Sequence, residues 1–106
     1  MSIEWIPRLR GHVELVQRLI EEVPRALDRP GLTIEQAERL HAVIQKGARD
    51  FDDVLQLMSG PDVDEYRSAA ERLFNIWSHL LNSAADRIDY LKDKATAEND
   101  VDQEIG

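Results

Sequence analysis

The chain has 106 residues, 42% hydrophobic and 32% charged, with 13 basic against 21 acidic side chains and a formal net charge of −8. That length holds one domain with a modest core and leaves no room for an embedded second module. The absence of cysteine excludes a disulfide framework and a thiolate metal site. MSIEWIPRLRG has no basic-then-apolar leader, and no apolar run approaches the ~18 residues of a membrane span, so the expectation is a mature, soluble, cytoplasmic protein.

The placement of charge is uneven. Residues 1–49 carry eight basic and seven acidic side chains, whereas residues 50–106 carry five and fourteen. A surface of that sign repels nucleic acid and attracts a basic protein over roughly a Debye length. It also serves the plain purpose of keeping a small helical protein soluble.

The first predicted helix begins between Ser2 and Pro7, where a proline is tolerated because first-turn amides have no intrahelical acceptor. Ile6, Leu9, Val13, Val16, Ile20, Val23 and Leu27 form one apolar seam, and Trp5, Leu9, His12, Val16, Leu19 and Val23 form its neighbour. Pro24 cannot donate to the carbonyl of Ile20, which predicts a kink or stop at Val23 and a connection over Pro24 to Leu32.

The second helix has the clearest start. Thr33 is a good N-cap, Gln36 can complete a capping box, and Leu32 can staple to Ala37. Ala37, Leu40, Ile44, Gly47, Phe51, Val54 and Met58 then alternate by three and four. Gly47 on that apolar face predicts close approach of a neighbour. Ser59, Gly60 and Pro61 end the helix, and Asp62 with Glu65 is expected to cap the next.

The third helix, from Asp62 to about Glu98, carries two adjacent seams that share Trp77. One runs Val63, Tyr66, Ala70, Leu73, Trp77, Leu80, Ala84. The other runs Ala70, Phe74, Trp77, Leu81, Ala84, Ile88, Leu91, Ala95. At about 100° per residue two seams cover about half the circumference, more than one partner helix can occupy. The predicted fold is therefore all-α: an antiparallel three-helix bundle with a long third helix, able to dimerise. Residues 1–95 make a single helical-bundle domain and residues 96–106 an acidic tail expected to fray. The third helix should overhang its partners from about Tyr90. Leu57 and Tyr90 should face solvent, with Leu15 and Ile76 at the arc edges.

Three histidines invite a metal hypothesis that spacing argues against. His12 lies in the apolar arc, His41 at an arc edge and His79 on the solvent side, and an antiparallel hairpin would separate His12 from His41 by about 10 Å. A buried, hydrogen-bonded, neutral His12 is expected instead. Glu35 with Glu38, and Asp50, Asp52 and Asp53, resemble in spacing the acidic pairs of helical nucleotide pyrophosphohydrolases of the MazG type, and membership would imply magnesium-dependent hydrolysis. That family brings its pairs together from two helices. Here both lie on one helix, so a site of Glu35, Glu38, Asp50 and Asp53 would need a second chain. The acidic run at Asp62 lacks an EF-hand loop, and no phosphate-loop, dinucleotide, zincin or nucleophile-elbow pattern occurs. Arg8, Arg10, Arg18, Arg25 and Arg29 are too sparse to predict direct nucleic-acid binding.

These readings point to a non-enzymatic protein-interaction module: a small acidic inhibitor, immunity or adaptor protein, in one version mimicking nucleic-acid charge. The alternatives are a metal-dependent nucleotide hydrolase acting as an oligomer and a structural subunit of a larger assembly. No catalytic, cofactor-binding or metal-ligating residue is assigned. Candidate contacts with a basic partner are Asp50, Asp52, Asp53, Asp62, Asp64 and Glu65 at one end, or Tyr90 and Leu91 at the other, the latter suited to a homodimer.

Overall fold

The computed structural model describes the backbone of residues 5–105 and the side chains of residues 5–97. Three helices, α1 (Trp5–Leu27), α2 (Ile34–Leu57) and α3 (Val63–Ile105), pack on one another around a single core. The expected acidic tail, residues 96–106, falls almost entirely outside the described side chains, although the α3 backbone is helical to Ile105.

Each helix supplies an apolar seam. Leu9, Val16 and Val23 of α1, Ile44, Phe51 and Val54 of α2, and Leu73, Trp77 and Leu80 of α3 are all buried. No polar or charged side chain is buried among the described residues. Trp77 lies where the three meet: its ring stands against His12 of α1, centroids 5.8 Å apart, and its outer edge lies directly over Gly47 of α2. A Cβ at residue 47 would fall inside the indole. The missing side chain, unfavourable for helix propensity, is what lets the largest core residue enter.

The connections follow from local chemistry. Thr33 closes a capping box, its hydroxyl accepting from the Gln36 amide and the Gln36 side chain accepting from the Thr33 amide, both at 3.1 Å. Gly31 and Gly60 sit in the turns at φ 80° and 94°, a region side chains with a Cβ avoid. Asp62 starts α3 through its carbonyl, which accepts from the Tyr66 amide at 3.3 Å. Between α2 and α3 the indole N–H of Trp5 donates to the Ser59 carbonyl at 3.1 Å, tying the beginning of α1 to that turn.

Three expectations need correction. α1 does not stop at Val23 but passes through Pro24 to Leu27. The ring forfeits one intrahelical bond, yet the Pro24 carbonyl still accepts from Asp28, and buried Val23 and Leu27 anchor the last turn on either side of it. Ile20 and Phe74, both placed in seams, are 44% and 54% exposed, because the neighbouring helices cover only part of each arc. Leu57 is half-buried against the core instead of solvent-facing, since it ends α2 where the chain turns back. Tyr90, 53% exposed, faces solvent as expected.

At about 1.5 Å per residue, α3 is roughly 65 Å long and α1 and α2 roughly 35 Å each. The long axis of the molecule, 69 Å against 21 and 20 Å across, is the length of α3. The described helices contain none long and apolar enough to cross a membrane.

The two helical glycines give opposite expectations. Gly47→Ala should lower the unfolding free energy by about 1–3 kcal/mol through overpacking, although propensity alone would raise it by about 1 kcal/mol. Gly11 has nothing within 4 Å of a built Cβ, so Gly11→Ala should stabilise by about 0.5–1 kcal/mol. Urea denaturation of both variants measures the difference.

Candidate functional site

The acidic candidates converge at one end of the molecule but not on one face. Asp62, Asp64 and Glu65 occupy the start of α3, all exposed, and Asp64 pairs with Arg67 at 3.0 Å in an equally open setting. On α2, consecutive side chains turn by about 100°, which separates the remaining three. Asp50 lines a shallow cleft with Arg8, Gly11, His12 and Leu15 on the α1 side. Asp52 lines a small cavity of about 100 Å³ on the α3 side, beside Phe74 and Leu81, and accepts from the Gln56 amide group at 3.0 Å. Asp53 is exposed as well.

The other candidates sit where α1 ends. Tyr90 lines an open groove of about 590 Å³ with Ile20, Pro24, Leu27 and His79, and the Arg87 guanidinium lies 4.9 Å from its ring centroid. That stacking suits an aromatic face and a weakly hydrated cation. Leu91, one residue on, is half-buried and points elsewhere. Tyr90 and Leu91 therefore belong to different faces of α3.

His12 is a titratable group whose protonation the core shifts. It is half-buried, edge-on to Phe51 at 5.4 Å and to Trp77 at 5.8 Å between ring centroids. The expected hydrogen bond is not made: Nδ1 is enclosed without a partner. Burial lowers its pKa below the ordinary histidine value of 6.5, an effect that Asp50 opposes and Arg8 reinforces. Two further enclosed atoms, Trp77 Nε1 and Arg87 Nε, also lack partners.

The acidic pairs weighed for magnesium stay on the α2 surface. Glu35 accepts from Arg39 at 2.6 Å, with both side chains 74% exposed, and Glu38 is exposed. Among the described residues no group of three or more His, Asp or Glu side chains is arranged to hold a metal ion. His41 is half-buried and His79 exposed, on different helices. No protein-family model, curated protein or solved structure matches the chain.

Sequence reasoning missed the Trp5–Ser59 link and the small cavity joining Ala48, Leu55, Phe74 and Leu81. A signal for the second existed. His41, Ala48 and Leu55 on α2, like Phe74, Leu81 and Ile88 on α3, repeat every seven residues beside the main seam.

The histidine shift has a definite sign. A folded-state pKa below the unfolded value means the unfolded chain binds the proton first, so the contribution of neutral His12 is complete above about 6.5 and is lost as pH falls through that value toward the lowered one. The urea midpoint of wild type should therefore drop between pH 8 and pH 5.5 by more than that of His12→Gln. Parallel curves for the two proteins would contradict it.

Proposed function

We propose that the protein is a non-enzymatic protein-interaction module: an antiparallel three-helix bundle whose acidic end docks on a basic protein, working in the cytoplasm as an inhibitor, immunity factor or adaptor. The observation that supports this most directly is the distribution of Asp50, Asp52, Asp53, Asp62, Asp64 and Glu65 around one end, almost all of them exposed and without a cationic partner. Arg67 is the single cation paired within that group. Such a rim accelerates encounter with a positive surface and contributes through long-range attraction more than through buried contact.

The rest of the molecule supports the same reading by holding that end in shape. The Trp5 indole packs edge-on against Tyr66 at 5.6 Å while its N–H holds the Ser59 carbonyl. The α2–α3 turn and the first turn of α3 are thereby fixed before a partner arrives, which reduces the entropy lost on docking. A ring of carboxylates on a fixed helical end also has the sign needed to occupy a phosphate-binding groove of a nucleic-acid enzyme.

Affinity purification from the native cell tests the proposal. At low ionic strength the wild-type chain should retain a basic protein that elutes on adding salt. The triple variant Asp52→Lys, Asp53→Lys, Asp64→Lys should lose it, with an association rate lower by at least about tenfold. Retention unchanged by the triple variant, or turnover of nucleoside triphosphates with magnesium, would overturn it.

A further inference from the structure

We infer that the groove between the end of α1 and α3 binds a monocarboxylic acid with an aliphatic body. Its carboxylate pairs with Arg87 and its chain lies along Ile20, Val23, Leu27 and Leu80. The inference is independent of the acidic-end reading: the groove lies where α1 ends, away from the α2–α3 corner, and shares no residue with that surface.

The apolar part of the site is open. Of the five large apolar side chains that stand well exposed among the described residues, two, Ile20 at 44% and Tyr90 at 53%, border this groove. Val23, Leu27 and Leu80, all buried, line it from beneath. Its volume of about 590 Å³ is in the range that holds a small molecule, and a largely apolar lining with a few convergent polar groups is what such sites have. The lining runs from Ile20 to Asp28 on α1 and from His79 to Arg87 on α3, a length of ~12 Å on each helix. A slot of that shape suits an extended chain.

The polar part supplies donors. His79, Ser83 and Arg87 occupy successive turns of α3, four residues apart, and all three line the groove. Arg87 is set apart from every other basic side chain of the described residues. It is half-buried, whereas each remaining lysine and arginine is exposed. Its guanidinium lies 4.9 Å from the centroid of the Tyr90 ring, its Nε is enclosed without an acceptor, and no described carboxylate forms an ion pair with it. A cation drawn partly out of water and left unpaired is costly, and a buried donor without an acceptor calls for an explanation. A ligand carboxylate supplies what is missing, because it accepts two parallel hydrogen bonds from one edge of a guanidinium. Stacking on Tyr90 holds that edge in place beforehand, which lowers the entropy lost on binding.

The opposing charges decide how many negative charges the ligand carries. Asp28 and Asp86 also line the groove, and both are exposed. They repel an anion through water, where salt screens them, whereas the half-buried guanidinium acts at a lower effective dielectric. A single carboxylate gains more from Arg87 than it loses to them. A phosphate monoester or a dicarboxylate doubles the repulsion for the same cation. An alkylammonium would meet carboxylates that water already solvates and would leave Arg87 unpaired.

Titration calorimetry and amide-resolved NMR of the full chain with hexanoate, octanoate and decanoate test the inference. Affinity should rise about three- to fourfold per added methylene, with shifts concentrated at the end of α1 and over residues 79–90. Octylamine should bind at least about tenfold more weakly than octanoate. Arg87→Gln should weaken octanoate by about tenfold or more, the loss of a charged hydrogen bond, while octanol, the same chain without charge, should bind both proteins alike. Asp86→Asn, which removes a repulsion and no apolar contact, should tighten octanoate, and circular dichroism should show both variants as helical as wild type. No binding of octanoate at millimolar concentration would overturn the inference. So would affinity indifferent to chain length, octylamine binding more tightly than octanoate, octanoate binding unchanged by Arg87→Gln, or octanoate weakened by Asp86→Asn.

Discussion

The seating of the Trp77 indole over Gly47 is the constraint on which the fold depends. It is a contact between the bulkiest core side chain and a position with none, made near the middle of α2 and about a third of the way along α3. It fixes the separation of those two helices and their relative sliding, since no other residue of α2 on that face is small enough to admit the ring. α1 then closes over the remaining side, with Leu9, Val16 and Val23 buried and His12 set against Phe51 and the same indole. Close packing of this kind is intolerant of added volume, which is why a residue unfavourable to helices is useful here.

Once those three helices have shared their seams, the surplus becomes the surface. α3 carries more apolar circumference than α1 and α2 cover, and the excess emerges as Phe74 on one side and as Tyr90 beside Ile20 on the other. The carboxylates are distributed differently. They lie on the second half of α2 and at the start of α3, exposed, with Asp64 paired to Arg67.

Much of this is legible before coordinates. The Thr33–Gln36 box, Gly47 on an apolar face, the sharing of Trp77 by two seams, and an open Tyr90 all follow from spacing and side-chain chemistry, because each is decided within a turn or two of helix. What is not legible depends on how far a neighbour reaches. Periodicity assigns Ile20 and Phe74 to the apolar face without saying that the neighbouring helices stop short of them. Local propensity places a stop before Pro24, whereas the burial of Val23 and Leu27 carries α1 past it. His12 belongs to the core by its position, but spacing does not say that its Nδ1 is left without an acceptor. The three aspartates of α2 read as one cluster along the chain and separate once their angles around the helix are known.

The Trp5–Ser59 hydrogen bond joins residues 54 apart in sequence. It makes the opening turn of α1 a latch on the corner between α2 and α3. Native proteins breathe in cooperative units rather than residue by residue, and helix ends are where such breathing begins. Here the fraying of one terminus is not a private event. When the first turn of α1 lifts, the corner loses its clasp and the carboxylates anchored around it gain freedom together, so the chain's outermost turn sets the stiffness of a region half the sequence away.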